Sequence, residues 1–366
     1  MIFSLAVPVF HHANFLPFAL ESIRAQRSAI QVAVMDATPD ESVQKVLERY
    51  GDLLSYRRHG PDSGQTAAIQ EGWDHTDGDI VAWLCADDYY FPNALDAVEE
   101  VFFRHPEVDV VYGDAVFVDD TDQFIGYFPI GQFGTSSIER EDFICQPSCF
   151  VRRTALARIG RLNPDLHYIM DWDLWTRLYL AGAKFHYLNQ PLSVVRMYRG
   201  TKTASRSWAR FKEIGRHVAR NASPIAALRS LSGFYYQDLK TLDVTGIERV
   251  LLRMMEFYSR QKKRFNVSDP GGDRNSYGFS RHGNEVTGEV DVFLPWYKPS
   301  PPVGLWVRSD LEVEPDVHLN GTRLSCTSGT GFCYDLPALS LSTPLLSLKL
   351  SCAARKSWTL HGVQFF

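Results

Sequence analysis

From Ile2 to about residue 115 the chain alternates apolar runs with amphipathic ones, a rhythm that few folds accept. "IFSLAVPVF", "IQVAVMD", "LLSYRRH", "DIVAWLC" and "VDVVYGDAVFVD" read as strands. Between them "NFLPFALESIRAQ", "ESVQKVLERY", "GQTAAIQEGWDH" and "PNALDAVEEVFFRH" read as helices. Strands separated by single helices form βαβ units with right-handed crossovers, so the pattern predicts an α/β fold with a mostly parallel sheet. Ile80, Val81, Ala82, Trp83 and Leu84 leave no polar side, which fits a strand covered on both faces.

Beyond residue 120 the rhythm loosens. "TALARIGR" and "DWDLWTRLYLAGA" read as helices, "KFHYL" and "LSVVRMY" as strands. Residues 206–264 hold 13 Lys and Arg against 5 Asp and Glu, with helical patterning in "SWARFKEIGRHVAR" and "GIERVLLRMMEFYSRQKKR". A Gly-, Asp- and Ser-rich linker follows over 266–278. After it come short alternating strands, "EVTGEVDVFL", "VGLWVRS", "VHLNGTRLSC", "LLSLKLSC" and "WTLHGVQFF", with a hairpin turn at Asn320-Gly321. The expected organisation is an α/β domain over 1–205, a basic helical segment over 206–265, and a linker with a small antiparallel β-sandwich over 266–366.

Composition narrows the function classes. A hydrophobic share of 45% and a charged share of 22% describe an ordinary soluble globular chain. The net charge of −5 gives no drive toward nucleic acid, and no nucleic-acid-binding motif is present. Six cysteines without zinc spacing read as reduced thiols of a cytoplasmic protein, a Cys326–Cys333 bridge staying open. The first residues read as a strand and not as a signal peptide, and no run of about 18 apolar residues exists. The basic stretch 206–264 admits peripheral contact with anionic lipid at the inner membrane face, a solvated helix face being the plainer reading. A homo-oligomer stays open.

Acidic residues recur where the predicted strands should end. Asp36 closes the second strand; Gly60, Asp62 and Gln65 enter a helix; Asp87 and Asp88 follow the fourth strand; Asp171 opens an amphipathic helix. Taken singly, each has a bland reading as a turn residue, an N-cap or a solvated loop. Taken together, they converge on the carboxyl edge of a parallel sheet, where such sheets bind ligands. Two adjacent carboxylates repel, and a metal ion among hard oxygen ligands resolves that repulsion.

The segments "LAVPVFHHANFLPFALESIRAQ", "VMDATPDES", "DSGQTAAIQEGW", "GDIVAWLCADDYYFPNAL", "CQPSCFVRRTALARIGRLNP" and "YIMDWDLWTRL" resemble family 2 glycosyltransferases in order and spacing. The resemblance covers about residues 1–200. It implies the nucleotide-sugar-binding GT-A fold and inverting transfer from a UDP- or dTDP-sugar to a glycan or lipid-linked acceptor in surface polysaccharide synthesis. By the same resemblance Pro8, Val9, Phe10, Asp36, Asp62, Gln65 and Asp87 serve the nucleotide, and Asp88 takes Mn2+ or Mg2+. Asp171 maps to the catalytic base, with Asp173 the competing candidate because Met170 stands where the family often has a glutamate. Gln146 falls on the acceptor side, and Arg196, Arg199 and Lys202 lie where a loop can close on the diphosphate. A nicotinamide-dependent dehydrogenase would need a glycine-rich turn after the first strand, which "PVFHHANFL" lacks. A catalytically inactive nucleotide-sugar- or glycan-binding protein on the same fold is the alternative.

Overall fold

A computed structural model describes residues 1–198, 200–202, 207–241, 246, 277, 279, 285–286, 288–311, 313–326, 332–336, 344–354 and 357–366. The predicted helix over 246–264, the linker over 266–278 and Arg199 fall outside the described residues, apart from Gly246 and Tyr277.

The parallel heart of the sheet is β1 (Ile2–Val9), β2 (Ala29–Asp36), β3 (Leu54–His59) and β4 (Ile80–Trp83), ordered β4-β1-β2-β3. Helices α1 (Leu16–Arg24), α2 (Ser42–Leu47) and α3 (Gln65–Asp74) make the crossovers. Then follow β5 (Tyr89–Tyr90), α4 (Ala94–Arg104), β6 (Val110–Val118), β7 (Phe124–Tyr127) and β8 (Cys149–Arg152). Next come α5 (Arg153–Ile159), α6 (Met170–Leu180) and β9 (Phe185–Arg196). β8 runs antiparallel between β4 and β6, so the sheet is mixed. The two strands expected in "KFHYL" and "LSVVRMY" are one strand, β9, whose register against β6 shifts around Asp114.

Alternation along β1 explains the two-sided core. Phe3, Leu5, Val7 and Val9 pack with α1, α2 and α4, whereas Ala6 packs with α3, α5 and α6. Gly72 permits the close seat of α3: a Cβ there would meet Met35 Cε at 2.7 Å and Ala6 Cβ at 2.9 Å. Trp172 and Trp175 are fully buried, and Trp175 stacks on Trp83 at 5.7 Å, so both belong to the core.

The basic segment begins as a helical hairpin, α7 (Trp208–Asn221) and α8 (Pro224–Thr241). Ser207 caps α7 by accepting the Arg210 N–H at 3.1 Å. α8 was not legible as a helix, although Ser223 caps it and Pro224 opens it, a common start signal.

The tail holds β10 (Glu285–Val286), β11 (Glu289–Pro295), β12 (Gly304–Ser309) and β13 (Asp316–Leu319). It continues with β14 (Thr322–Arg323), β15 (Phe332–Asp335), β16 (Leu345–Ser351) and β17 (Trp358–Phe365). β11-β16-β13-β14 form a small antiparallel sheet, and Asn320 and Gly321 turn its β13–β14 hairpin with φ of 49° and 82°. The other tail strands, β15-β12-β17, extend the large sheet, with Val363 of β17 opposite Phe124 of β7. Buried residues of β11, β12, β16 and β17 fall in the same apolar cluster as β1 and α1. Among the described residues no disulfide joins Cys326 to Cys333.

Candidate active site

The parallel strands end level with one another, Val9 opposite Asp36 and Asp36 opposite His59. Asp36 is fully buried and its carboxylate is occupied. Oδ1 accepts from Thr38 N at 2.9 Å; Oδ2 accepts from Gln44 Nε2 at 2.8 Å and has His59 Nδ1 at 2.8 Å. Thr38 Oγ1 in turn accepts the His11 N–H, tying the loops after β1 and β2. The Val9 side chain joins the core, contrary to its expected place in a nucleotide pocket, because alternation turns it inward. Pro8 is half-buried, and Phe10 is 58% exposed on the rim. Asp62 organises the entry to α3, accepting Gly64 N at 2.8 Å and Arg58 Nη2 at 3.3 Å.

β4 and β5 are separated by a tight turn in which Asp88 N donates to Cys85 O at 3.0 Å. That turn gathers ligand atoms of Cys85, Asp87 and Asp88 within 4.8 Å of one another. Asp88 is buried and accepts the Arg196 N–H on Oδ1 at 3.1 Å; burial and then the charge of Asp87 push its carboxyl well above the ordinary range. Asp87 is half-buried and accepts from Tyr198 Oη at 3.2 Å. The Cys85 thiol is also pushed up, by burial first and the two aspartates next, so it stays protonated. Two hard carboxylates short of positive charge suit Mg2+ or Mn2+, and a neutral thiol does not compete for it.

Facing this turn is α6. Asp171 lies in its first turn, accepts the Trp172 N–H at 2.8 Å, and burial pushes its carboxyl up to about 6. The Lys202 ammonium opposes that shift and donates to Gln65 Oε1 at 2.7 Å. Gln65 Nε2 donates to Cys85 Sγ at 3.2 Å, and Gln146 Nε2 to Trp83 O at 2.7 Å. Gln65, Gln146 and Lys202 thus stand around the acidic turn. Asp173 is instead held by Arg177 at 2.7 Å, which favours Asp171 as the group open to chemistry.

Arg196 departs from expectation. Its guanidinium is fully buried, ion-paired with Asp122, and caged by Phe15, Phe18 and Tyr89 at 4.6, 5.1 and 5.2 Å. As the last residue of β9 it points inward and cannot reach a diphosphate from this cage; its backbone N–H serves the site. Sequence reasoning missed Asp142. One of its oxygens is buried without a hydrogen-bond partner among the described residues, and burial and then the Asp171 charge push its carboxyl up. It lies three residues before "CQPSCF", the signal that could have found it.

Residues 4–160 match the model of glycosyl transferase family 2. That stretch carries the acidic turn and its parallel strands. Over that stretch, less than half of the chain, the protein is similar to this family. An uncharacterized glycosyltransferase of Rickettsia felis is 26% identical over 195 residues, 50% of this chain and 32% of that protein. The O-antigen biosynthesis protein RfbC of Myxococcus xanthus is 27% identical over 232 residues, 60% of this chain and 18% of that protein. The chain thus spans well under two thirds of these relatives. Among solved structures, residues 1–349 of S. aureus TarS in complex with UDP-GlcNAc superimpose with a TM-score of 0.50 at 15% identity. That match covers 66% of this chain and 73% of that one, and shows a shared GT-A fold.

Proposed function

We propose that this chain is an inverting glycosyltransferase using a nucleoside-diphosphate sugar, UDP- or dTDP-linked. The acceptor is a glycan or lipid-linked precursor in surface polysaccharide synthesis. The observation that carries this reading is the pairing of the acidic turn with a separate carboxylate, Asp171, which burial shifts up to about 6, around Lys202. The O-antigen name of the Myxococcus relative and the UDP-GlcNAc bound to TarS support the substrate class.

Asp88, with Asp87 beside it, would hold Mn2+ or Mg2+, which when bound neutralises charge developing on the departing diphosphate. Phe10 and the loop fixed by Asp36 would wall the base, with Asp62 and Gln65 at the start of α3. Lys202, oriented by Gln65, stands where it can meet diphosphate oxygens. Asp171 takes the proton from the acceptor hydroxyl, with Gln146 on the acceptor side. One displacement assisted by a base, without a covalent intermediate, inverts the anomeric centre.

Membrane-face contact belongs to the same proposal. No helix among the described residues is long and apolar enough to cross a membrane. The hairpin α7–α8 exposes Trp208, Ile225 and Leu228 beside Lys212, Arg216 and Arg229, the mix that binds anionic lipid surfaces.

A thermal-shift screen of nucleotide sugars with Mn2+, followed by donor hydrolysis, tests the reading. One UDP- or dTDP-sugar should stabilise the protein and be slowly hydrolysed, with both effects lost in EDTA. Stabilisation without hydrolysis or transfer to any acceptor establishes the inactive binding protein instead. No stabilisation by any donor refutes both.

A further inference from the structure

The junction between the tail and the β6–β7 turn carries a chain of charges that the mechanism above does not use. Asp122 sits in that turn with φ of 66°, a left-handed conformation that costs a residue other than glycine free energy. Its two oxygens face different partners. Oδ1 pairs with Arg196 Nη1, and Oδ2 lies 3.2 Å from Lys298 Nζ, just after β11. The Lys298 ammonium also lies 4.8 Å over the Trp296 ring. Arg196 Nε and Nη2 find no acceptor among the described residues, so Asp122 is the carboxylate the structure sets against this buried cation. The backbone N–H of the same arginine donates to Asp88.

A second contact reaches the other side of the acidic turn. Tyr297 Oη donates to Tyr90 O at 2.9 Å, and its ring meets Tyr89 edge-on at 6.2 Å. Tyr89 and Tyr90 directly follow Asp88. Lys298 and Tyr297 therefore brace Asp88 from both directions, one through Asp122 and Arg196, the other through β5.

We propose that the C-terminal segment is a positioning element of the donor site: Lys298 and Tyr297 fix the Asp88 carboxylate through Asp122, Arg196 and Tyr90. A buried ion pair is held by its geometry, and removing one member frees the others. Coupling through such a chain has to be measured, since spatial continuity alone does not establish it. The inference rests on the reading of Asp88 as a metal-holding group.

The test uses the full chain with Lys298→Met, Lys298→Arg, Tyr297→Phe, Asp122→Asn and the control Lys349→Met, a lysine on β16. Hydrogen exchange of the peptide containing the Arg196 amide reads the brace without reference to activity. Mn2+ binding in the presence of UDP, followed by electron paramagnetic resonance, reads its effect on the site. Lys298→Met should speed exchange and weaken Mn2+ binding about fivefold to tenfold, the scale of one ordinary hydrogen bond. Lys298→Arg should restore both, Lys349→Met should change neither, and kcat at saturating Mn2+ and donor should hold. Combining Lys298→Met with Asp122→Asn should add little to the larger single effect. If Lys298→Met does not fold, Tyr297→Phe, which deletes one oxygen, carries the same expectation. Wild-type exchange and wild-type Mn2+ affinity in a folded Lys298→Met or Tyr297→Phe protein overturn the proposal. Faster exchange in a protein whose wild type binds no Mn2+ supports the brace and overturns the metal reading instead.

Discussion

Asp88 and Asp171 are both carboxylates that burial pushes above their ordinary range, yet the fold surrounds them in opposite ways. Asp88 has a second acid at its side, so burial and repulsion act together. Asp171 has Lys202 and the first turn of α6 acting against burial. A buried acid beside a like charge is best relieved by a cation. A buried acid opposed by an ammonium and a helix N-terminus holds a proton that leaves near neutral pH. The same side chain is thereby suited to the two chemistries that the proposed function requires.

Four substitutions test that contrast. Asp88→Asn should lower transfer by about 10³-fold or more and remove its response to Mn2+, because charge neutralisation at the leaving group is lost. Full activity of the wild type in EDTA would break the metal half of the comparison. Asp171→Asn should cost about 10²- to 10⁴-fold in kcat while donor affinity, measured by calorimetry, stays put. Asp173→Asn should do far less, because that carboxylate is spent on Arg177; the reverse order would move the base by two residues.

The pH response comes next. A base must be ionised to accept a proton, so kcat/KM should rise with pH and level off above about 6. Stability has the opposite sign. Folded Asp171 keeps its proton to about 6, whereas the unfolded chain releases it near 3.8, so the native state binds more protons between these values. It therefore loses stability as pH rises through that window. Asp171→Asn should raise Tm at pH 7.5 and leave it nearly unchanged at pH 3.5; equal shifts at both would show that ionisation is not the cause. The smallest effect is expected of Tyr198→Phe, which removes one hydrogen bond to Asp87. About a threefold rise in the Mn2+ needed for half-maximal rate fits its single contact.

The parallel strands were legible because each is an apolar run bounded by a helix, and the acids at their ends were legible because topology alone gathers them. Asp36, Asp87 and Asp88 follow from that rule, whereas Asp171 opens a helix and came from the resemblance. The inward turn of Arg196 does not, because it depends on an aromatic cage built from α1 and β5 and on an aspartate in a distant turn. The closure of Asp36 by Gln44 and His59 is likewise a fact of tertiary packing. Asp142 escaped notice because the neighbouring "CQPSCF" marks the segment but not which of its carboxylates comes to lie beside Asp171. The tail strands were legible from their alternation, but alternation carries no information about which edge a strand will join.

That edge has a further bearing on how the chain folds. Until residues 358–365 are in place, β7 keeps one side of its backbone unpaired and leaves Phe124 without its cover from β17. The strand that closes it lies more than two hundred positions further along the polypeptide. Contacts so distant in sequence form late, and an open apolar edge in the interval invites pairing with another molecule. Production of this protein should therefore be unusually sensitive to losses at its last strand, which should send the α/β half into aggregates before any effect on turnover could be read.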